Sequence, residues 1–282
     1  SILLPNPLGS AMGSILLHQE KTIVCLVGPP FEMHPMFLQH VVPFLQGKTK
    51  QHFYTKEHFV VGLSESKIED LLQEYYTTYK EVSTNPYAGN GIIRYLLKST
   101  DEDVLIKASN TFQEILGEHV IENGSISLVS QIAATLNERH EHISVAESCT
   151  GGMLASMIVD EPGVSSIFEE GFITYSDAAK IKYLQVHQDT LEQFGAVSAQ
   201  TVTEMLFGLH KNTQSDLCIS ISGISGPDGG TTEKPVGTTV IGVSYHGKTE
   251  VAKVHLRGNR SMIRTRACFY ALWRAYLMIQ KS

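Results

Sequence analysis

Several features that announce a chemistry at first sight are missing from this 282-residue sequence. No stretch approaches the roughly 20 consecutive apolar residues of a membrane span, so no membrane association is expected. Basic residues are not in excess. The 22 Lys and Arg face 29 Asp and Glu, giving a net charge of −7, and a general nucleic-acid binder is not expected. The four cysteines, Cys25, Cys149, Cys218 and Cys268, are too scattered for a metal or disulfide pattern. Without a signal-peptide pattern, the expected compartment is reduced and cytoplasmic. The twelve histidines include no HExxH motif, and His140 and His142 read as surface residues. The sequence opens at Ser1 in mid-pattern, as the C-terminal part of a longer protein would.

What is present divides into three textures. Residues 1–48 hold one apolar run, Thr22–Val27, read as a buried strand, followed by Gly28-Pro29-Pro30 and a helix start. That is too little to fold alone. Between 49 and 124 the pattern reads strand (59–63), helix (64–76, capped near Ser66), a second strand segment Lys80–Thr84 before a Pro/Gly/Asn loop, another strand (91–98), helix (102–117) and strand (119–121). This β-α-β-β-α-β order is the ferredoxin-like split motif. From 125 to 282, strands and helices alternate with glycine-rich turns, as in an α/β layer domain. Helices are expected at 127–139, 150–159, 177–184, 198–212 and 260–280, and strands at 142–146, 171–175, 216–222, 237–246 and 250–256.

The segment Ala146–Arg260 carries the chemistry. Ser148-Cys149-Thr150-Gly151-Gly152 sits where a strand feeds a helix, and unpaired N–H groups there attract an anion or a carbonyl oxygen. The same residues also suit a helix cap with close-packing glycines. Cys149 reads as a buried, inert thiol. Ser165 and Ser166 follow a Glu-Pro-Gly turn, where a helix cap and a nucleophile are both open readings. Lys180 lies among Ala178, Ala179 and Ile181. A lysine takes a proton from serine only when neutral, and burial favours that state. Lys182 points elsewhere on the helix and serves as the surface control, while Tyr175 reads as a core or hydrogen-bonding residue. The loop Ser222–Gly230, with Gly223 and Gly226, can form an oxyanion or phosphate nest, and it fits neither GxxxxGK[ST] nor GxGxxG. Arg257, Arg260, Arg264 and Arg266 form a basic cluster, either a solvated helix face or an anion site.

Together, AESCTGG (146–152), the Ser-Ser turn, GFITYSDAAK (171–180), GAVS (195–198), GISGPDGGTTEKPVGT (223–238) and GNR (258–260) with Arg264 closely resemble the C-terminal domain of the CinA family. That domain is a nicotinamide mononucleotide (NMN) deamidase. LPNPLGSAMG (4–13) and GPPFEMHPMF (28–37) resemble the end of the MoaB/MogA-like, molybdopterin-binding-like domain of longer members, and 49–124 resembles their linking domain. The resemblance implies a three-layer α/β domain preceded by a small ferredoxin-like α+β domain and the end of a MoaB/MogA-like α/β domain. It implies a serine amidohydrolase with Ser165 as nucleophile and Lys180 as base, completed by Ser148 and Tyr175. Thr150, Gly151, Gly152, Ser222, Gly223 and Gly226 would line the substrate, with Arg260 on its phosphate, in a homodimer. Ser225 stands where relatives carry alanine. No cofactor is expected for the amidase. A divalent metal would enter only through a complete N-terminal ADP-ribose pyrophosphatase domain, whose GGLGPT-type loop and acidic motif this chain lacks. Pyrophosphatase action and silent pyridine-nucleotide binding are the rival readings.

Overall fold

The structure, a computed structural model, describes residues 1–48, 52–89, 91–121 and 127–282. It divides into two compact units, Ser1–Tyr54 and Thr55–Ser282. In the first, β1 (Ile2–Leu4), β2 (Gly13–His18) and β3 (Lys21–Cys25) form an antiparallel sheet in that order. Helices α1 (Pro30–Met36) and α2 (Val42–Gln46) follow, joined by a π-turn at Phe37–Val41. Leu4, Ile15, Met36 and Val41 make a small core. The run expected to be a buried strand is one only in part. No residue of β3 is fully buried, and its alternation shows a strand with one covered face.

The second unit opens with a four-stranded sheet. Its elements are β4 (Tyr54–Val61), α3 (Glu65–Leu71), α4 (Gln73–Thr78), β5 (Ser83–Ala88), β6 (Ile92–Ser99), α5 (Glu102–Leu116) and β7 (Val120–Ile121). The strand order β5-β6-β4-β7 is the ferredoxin-like arrangement read from the sequence. Tyr75, Tyr95, Leu97 and Phe112 fill its core. Two details differ from expectation. Ser64 caps α3, accepting from the Lys67 N–H at 3.3 Å, so the cap lies two residues before Ser66. The residues after Thr84, expected to be loop, continue β5 through Pro86, which is tolerated because β5 is an edge strand.

The remaining elements are α6 (Leu128–Arg139), β8 (Ile143–Glu147), α7 (Met153–Val159), β9 (Phe168–Ile173), α8 (Asp177–Leu184), α9 (Gln188–Phe194), α10 (Ala199–Thr213), β10 (Leu217–Gly223), β11 (Thr238–Tyr245), β12 (Lys248–His255) and α11 (Arg260–Gln280). The sheet order is β12-β11-β10-β8-β9, with β8 parallel to both β10 and β9 and the other pairs antiparallel. Alternate side chains of the central strands face opposite layers. Ile219 and Ile221 join the core under α6, α7 and α11, while Ala146 and Cys218 join the core under α8, α9 and α10. Each buried Leu or Ile contributes about 1.5–3 kcal/mol, so the three layers are held mainly by this periodicity. Helix α7 starts three residues later than expected because Gly151 and Gly152 are left-handed (φ +60° and +90°) and form a turn instead. Helix α9 was not anticipated. The run Gly242–Thr249 has the spacing of a phosphate loop, but it is the β11–β12 hairpin and no helix follows it directly.

Trp273 on α11 joins the two sheets. Its indole donates to the Glu118 carbonyl at 3.1 Å and its ring stacks on His119 at 5.0 Å. A Cβ at Gly62 would lie 2.7 Å from that ring, so only glycine allows this approach.

Candidate active site

Three adjacent strands, β9, β8 and β10, run parallel and end at the same edge, the usual place for a ligand in an α/β sheet. Ser148 is the first residue past β8. Its N–H donates to the Ile221 carbonyl of β10 at 3.0 Å, and the Thr174 N–H donates to the Glu147 carbonyl at 2.8 Å. Ser148 is therefore held from both sides by its neighbours.

Lys180 reaches it from α8. Ser176 caps that helix, accepting from the Ala179 N–H, and places Lys180 on the inward face. The side chain is fully buried (0% exposed), whereas Lys182 is exposed. Lys180 Nζ donates to Ser148 Oγ at 3.2 Å, to the Thr174 carbonyl at 3.0 Å and to the Tyr175 carbonyl at 3.2 Å. Burial pushes its ammonium below the ordinary lysine value, partly opposed by Asp177, whose carboxylate lies 3.8 Å away at the exposed end of the helix. A neutral amine beside a serine hydroxyl can accept its proton.

The two groups open into a cavity of ≈ 200 Å³, lined also by Cys149, Tyr175, Ala196, Val197, Ser222, Gly223, Ser225 and Arg260. Arg260 donates to the Gly226 carbonyl at 2.6 Å and to Tyr175 Oη at 3.4 Å, which holds an exposed cation at the mouth. Ser225 Oγ is buried beside the Cys149 thiol, which it faces as a hydrogen-bonding neighbour. Burial pushes that thiol up to about 11, so it is not a thiolate at neutral pH.

The expected nucleophile is elsewhere. Ser165 is exposed on a short turn, Val164–Ser166, that precedes β9, whereas Lys180 follows β9. The six residues of β9 separate these ends by about 20 Å of strand. Within this chain the hydroxyl beside Lys180 belongs to Ser148.

The helix-start amides are also placed differently from expectation. Glu147, fully buried at the end of β8, accepts from the N–H groups of Gly152 (3.0 Å), Leu154 (3.1 Å) and Ala155 (2.8 Å). The start of α7 is thus filled by the protein's own carboxylate, and Gly151 N–H donates to the Ser148 carbonyl. Gly152 is therefore unavailable as an anion donor, and Thr150, Gly151 and Gly152 do not line the cavity. The Cys149 and Thr150 amides have no backbone acceptor among the described residues. Ser222 lines the cavity, but its hydroxyl donates to the Ala196 carbonyl at 2.7 Å and anchors the 195–198 turn. Gly226 contributes the carbonyl that holds Arg260.

Sequence reasoning missed Glu147, Ala196 and Val197. A carboxylate ending an otherwise apolar strand was the available signal for the first. Among the described residues, no three His, Cys, Asp or Glu side chains gather as a metal site would need, and no helix is long and apolar enough to cross a membrane.

The family model of the CinA C-terminal domain matches residues 125–278. A competence-damage inducible protein of Clostridium perfringens (strain SM101) is 40% identical over 279 residues, covering 96% of this chain and 68% of that protein. A CinA superfamily crystal structure from Klebsiella pneumoniae is 31% identical and covers 55% of this chain and 97% of its own, with a TM-score of 0.53. Another from Enterobacter cloacae is 34% identical and covers 54% and 90%, with a TM-score of 0.52. With its layered sheet and six motifs in order, the chain belongs to the CinA family.

Proposed function

We propose that the chain is a serine amidohydrolase that converts NMN and water to nicotinate mononucleotide and ammonia. The observation that carries this reading is the fully buried Lys180 amine at 3.2 Å from Ser148 Oγ, facing a small cavity. In the neutral state Lys180 takes the Ser148 proton as Oγ attacks the carboxamide carbon. The free amide of Cys149, next to the nucleophile, is the nearest backbone donor for the oxyanion, a contribution of about 3 kcal/mol where such donors have been removed elsewhere. The Lys180 ammonium then protonates the departing ammonia. Water, deprotonated by the same amine, releases the acid from Ser148. A cavity of ≈ 200 Å³ suits the pyridine carboxamide better than a whole nucleotide, which leaves the 5′-phosphate at the mouth near Arg260.

The substrate assignment draws on the family resemblance, and the amide chemistry draws on the site. The test is ammonia release from NMN by the purified chain with EDTA present, beside Ser148→Ala. Release that disappears in the variant supports the serine mechanism. No release from a folded chain that still binds NMN sinks it in favour of a silent binding domain.

A further inference from the structure

A second and larger cavity, of ≈ 620 Å³, lies between the four-stranded sheet and the β12–α11 corner. This is within the range of small-molecule sites and about three times the volume at Ser148. Its walls are firmly seated, because Trp273 binds the two sheets together beside it. One end is cationic. Arg257 and Arg266 both line it, and neither has a carboxylate partner among the described residues. Arg266 donates to the Arg257 carbonyl, so the two stems converge on one turn. Glu65 is the only acidic side chain in the lining. The rest mixes apolar side chains (Leu63, Ile93 and Leu256) with Ser64, Ser66 and His255, and the half-buried Tyr270 adds a ring and a hydroxyl.

Two guanidiniums without a carboxylate partner among the described residues, one of them fixed by the Arg257 carbonyl, offer N–H donors for phosphate oxygens, and the apolar side chains beside an aromatic ring suit a planar base. We infer that this cavity is a binding site for a nucleoside monophosphate, separate from the amidase pocket. The inference does not rest on the amidase reading. Site and pocket are nonetheless joined by chain: Arg257, Gly258 and Asn259 form the turn that leads into Arg260, and Asn259 caps α11 by accepting from the Met262 N–H at 3.0 Å.

The experiment is titration of the full chain with AMP by calorimetry, with adenosine as the uncharged control. Saturable binding of AMP, at least tenfold tighter than adenosine, is expected. Arg257→Gln should weaken AMP about tenfold; its side chain is exposed and bonds to no other side chain among the described residues, so the fold should tolerate the change. Arg257→Gln with Arg266→Gln should weaken it further, whereas Arg260→Gln should leave it unchanged. Absence of saturable AMP binding overturns the inference, as does equal binding of adenosine. AMP binding that survives Arg257→Gln but is lost in Arg260→Gln places the nucleotide in the amidase pocket and equally overturns it.

Discussion

At the amino end of β8 and β9, Ser165 and Ser166 stand in solvent, and the Ser166 hydroxyl engages Asn137 Oδ1 at 2.6 Å and the Gly163 carbonyl at 3.0 Å. At the carboxyl end of the same strands, Ser148 is 7% exposed and its nearest cation is an amine held out of water. Both are serine-bearing turns beside a strand, and in one dimension Ser165 reads as the nucleophile and Ser148 as a residue completing the site. The difference teaches that a hydroxyl becomes reactive through what the sheet sets beside it, since neither turn contains its own base.

Ser148→Ala should break the amidase most completely, with a loss of about 10⁶-fold in kcat, the scale seen when a serine nucleophile is removed. Lys180→Met should come within about tenfold of that loss, because serine and lysine act as one unit. The pH profile sharpens the point. Burial lowers the Lys180 value, so its proton leaves at a pH below the ordinary 10.5, and kcat/KM should rise with pH until that proton is gone and then level off. A rate independent of pH across the neutral to alkaline range would remove lysine from the role of base. Stability follows the same sign: the unfolded lysine binds its proton more tightly than the folded one, so this residue's contribution to stability increases as pH rises toward 10.5.

Glu147→Gln should act on the fold around the site. Its three N–H partners would meet an amide with a single acceptor oxygen, a loss of about 2–4 kcal/mol, visible as a lower Tm in a thermal melt. The smallest effect is expected at the other end of the strands, where Ser165→Ala should retain activity within twofold. A large loss there, in a folded protein, would overturn the contrast between the two ends.

The layered fold was legible because buried strands and amphipathic helices leave their periods in the chain. Strand β10 and helix α11 fall within a residue of their expected positions, and the two-sheet division follows from the change of pattern. Lys180 was marked out by the sparsely charged sequence around it, but its burial comes from its place on the inward face of α8, where Lys182 on the same helix faces solvent. Which serine it meets was not legible. That depends on β8 lying beside β9, a pairing between residues some 25 apart that no local period records. Glu147 escaped notice for a related reason: its three partners lie across a glycine turn whose left-handed geometry brings the helix start back over the strand end.

The pairing of β8 with β9 is not uniform. Ile143 stands opposite Phe168, but Val145 stands opposite Gly171, so β9 carries one extra residue at Glu169–Glu170, both exposed. Beyond that bulge the two strands advance in step through Glu147 and Ile173 to Ser148 and Thr174. The meeting of the Lys180 amine with the Ser148 hydroxyl is thus counted off from a surface kink at the far end of the strand. Substituting either glutamate should matter little, and deleting one would remove the bulge and leave Gly171 to Ile173 opposite the same residues of β8; deleting a residue between Gly171 and Ile173 would instead shift Thr174 and Lys180 by one and turn inward faces outward. The contact between Lys180 and Ser148 is in this sense gauged by the number of residues between the bulge and the end of β9, and that number is under tighter constraint than the identity of the residues at the bulge.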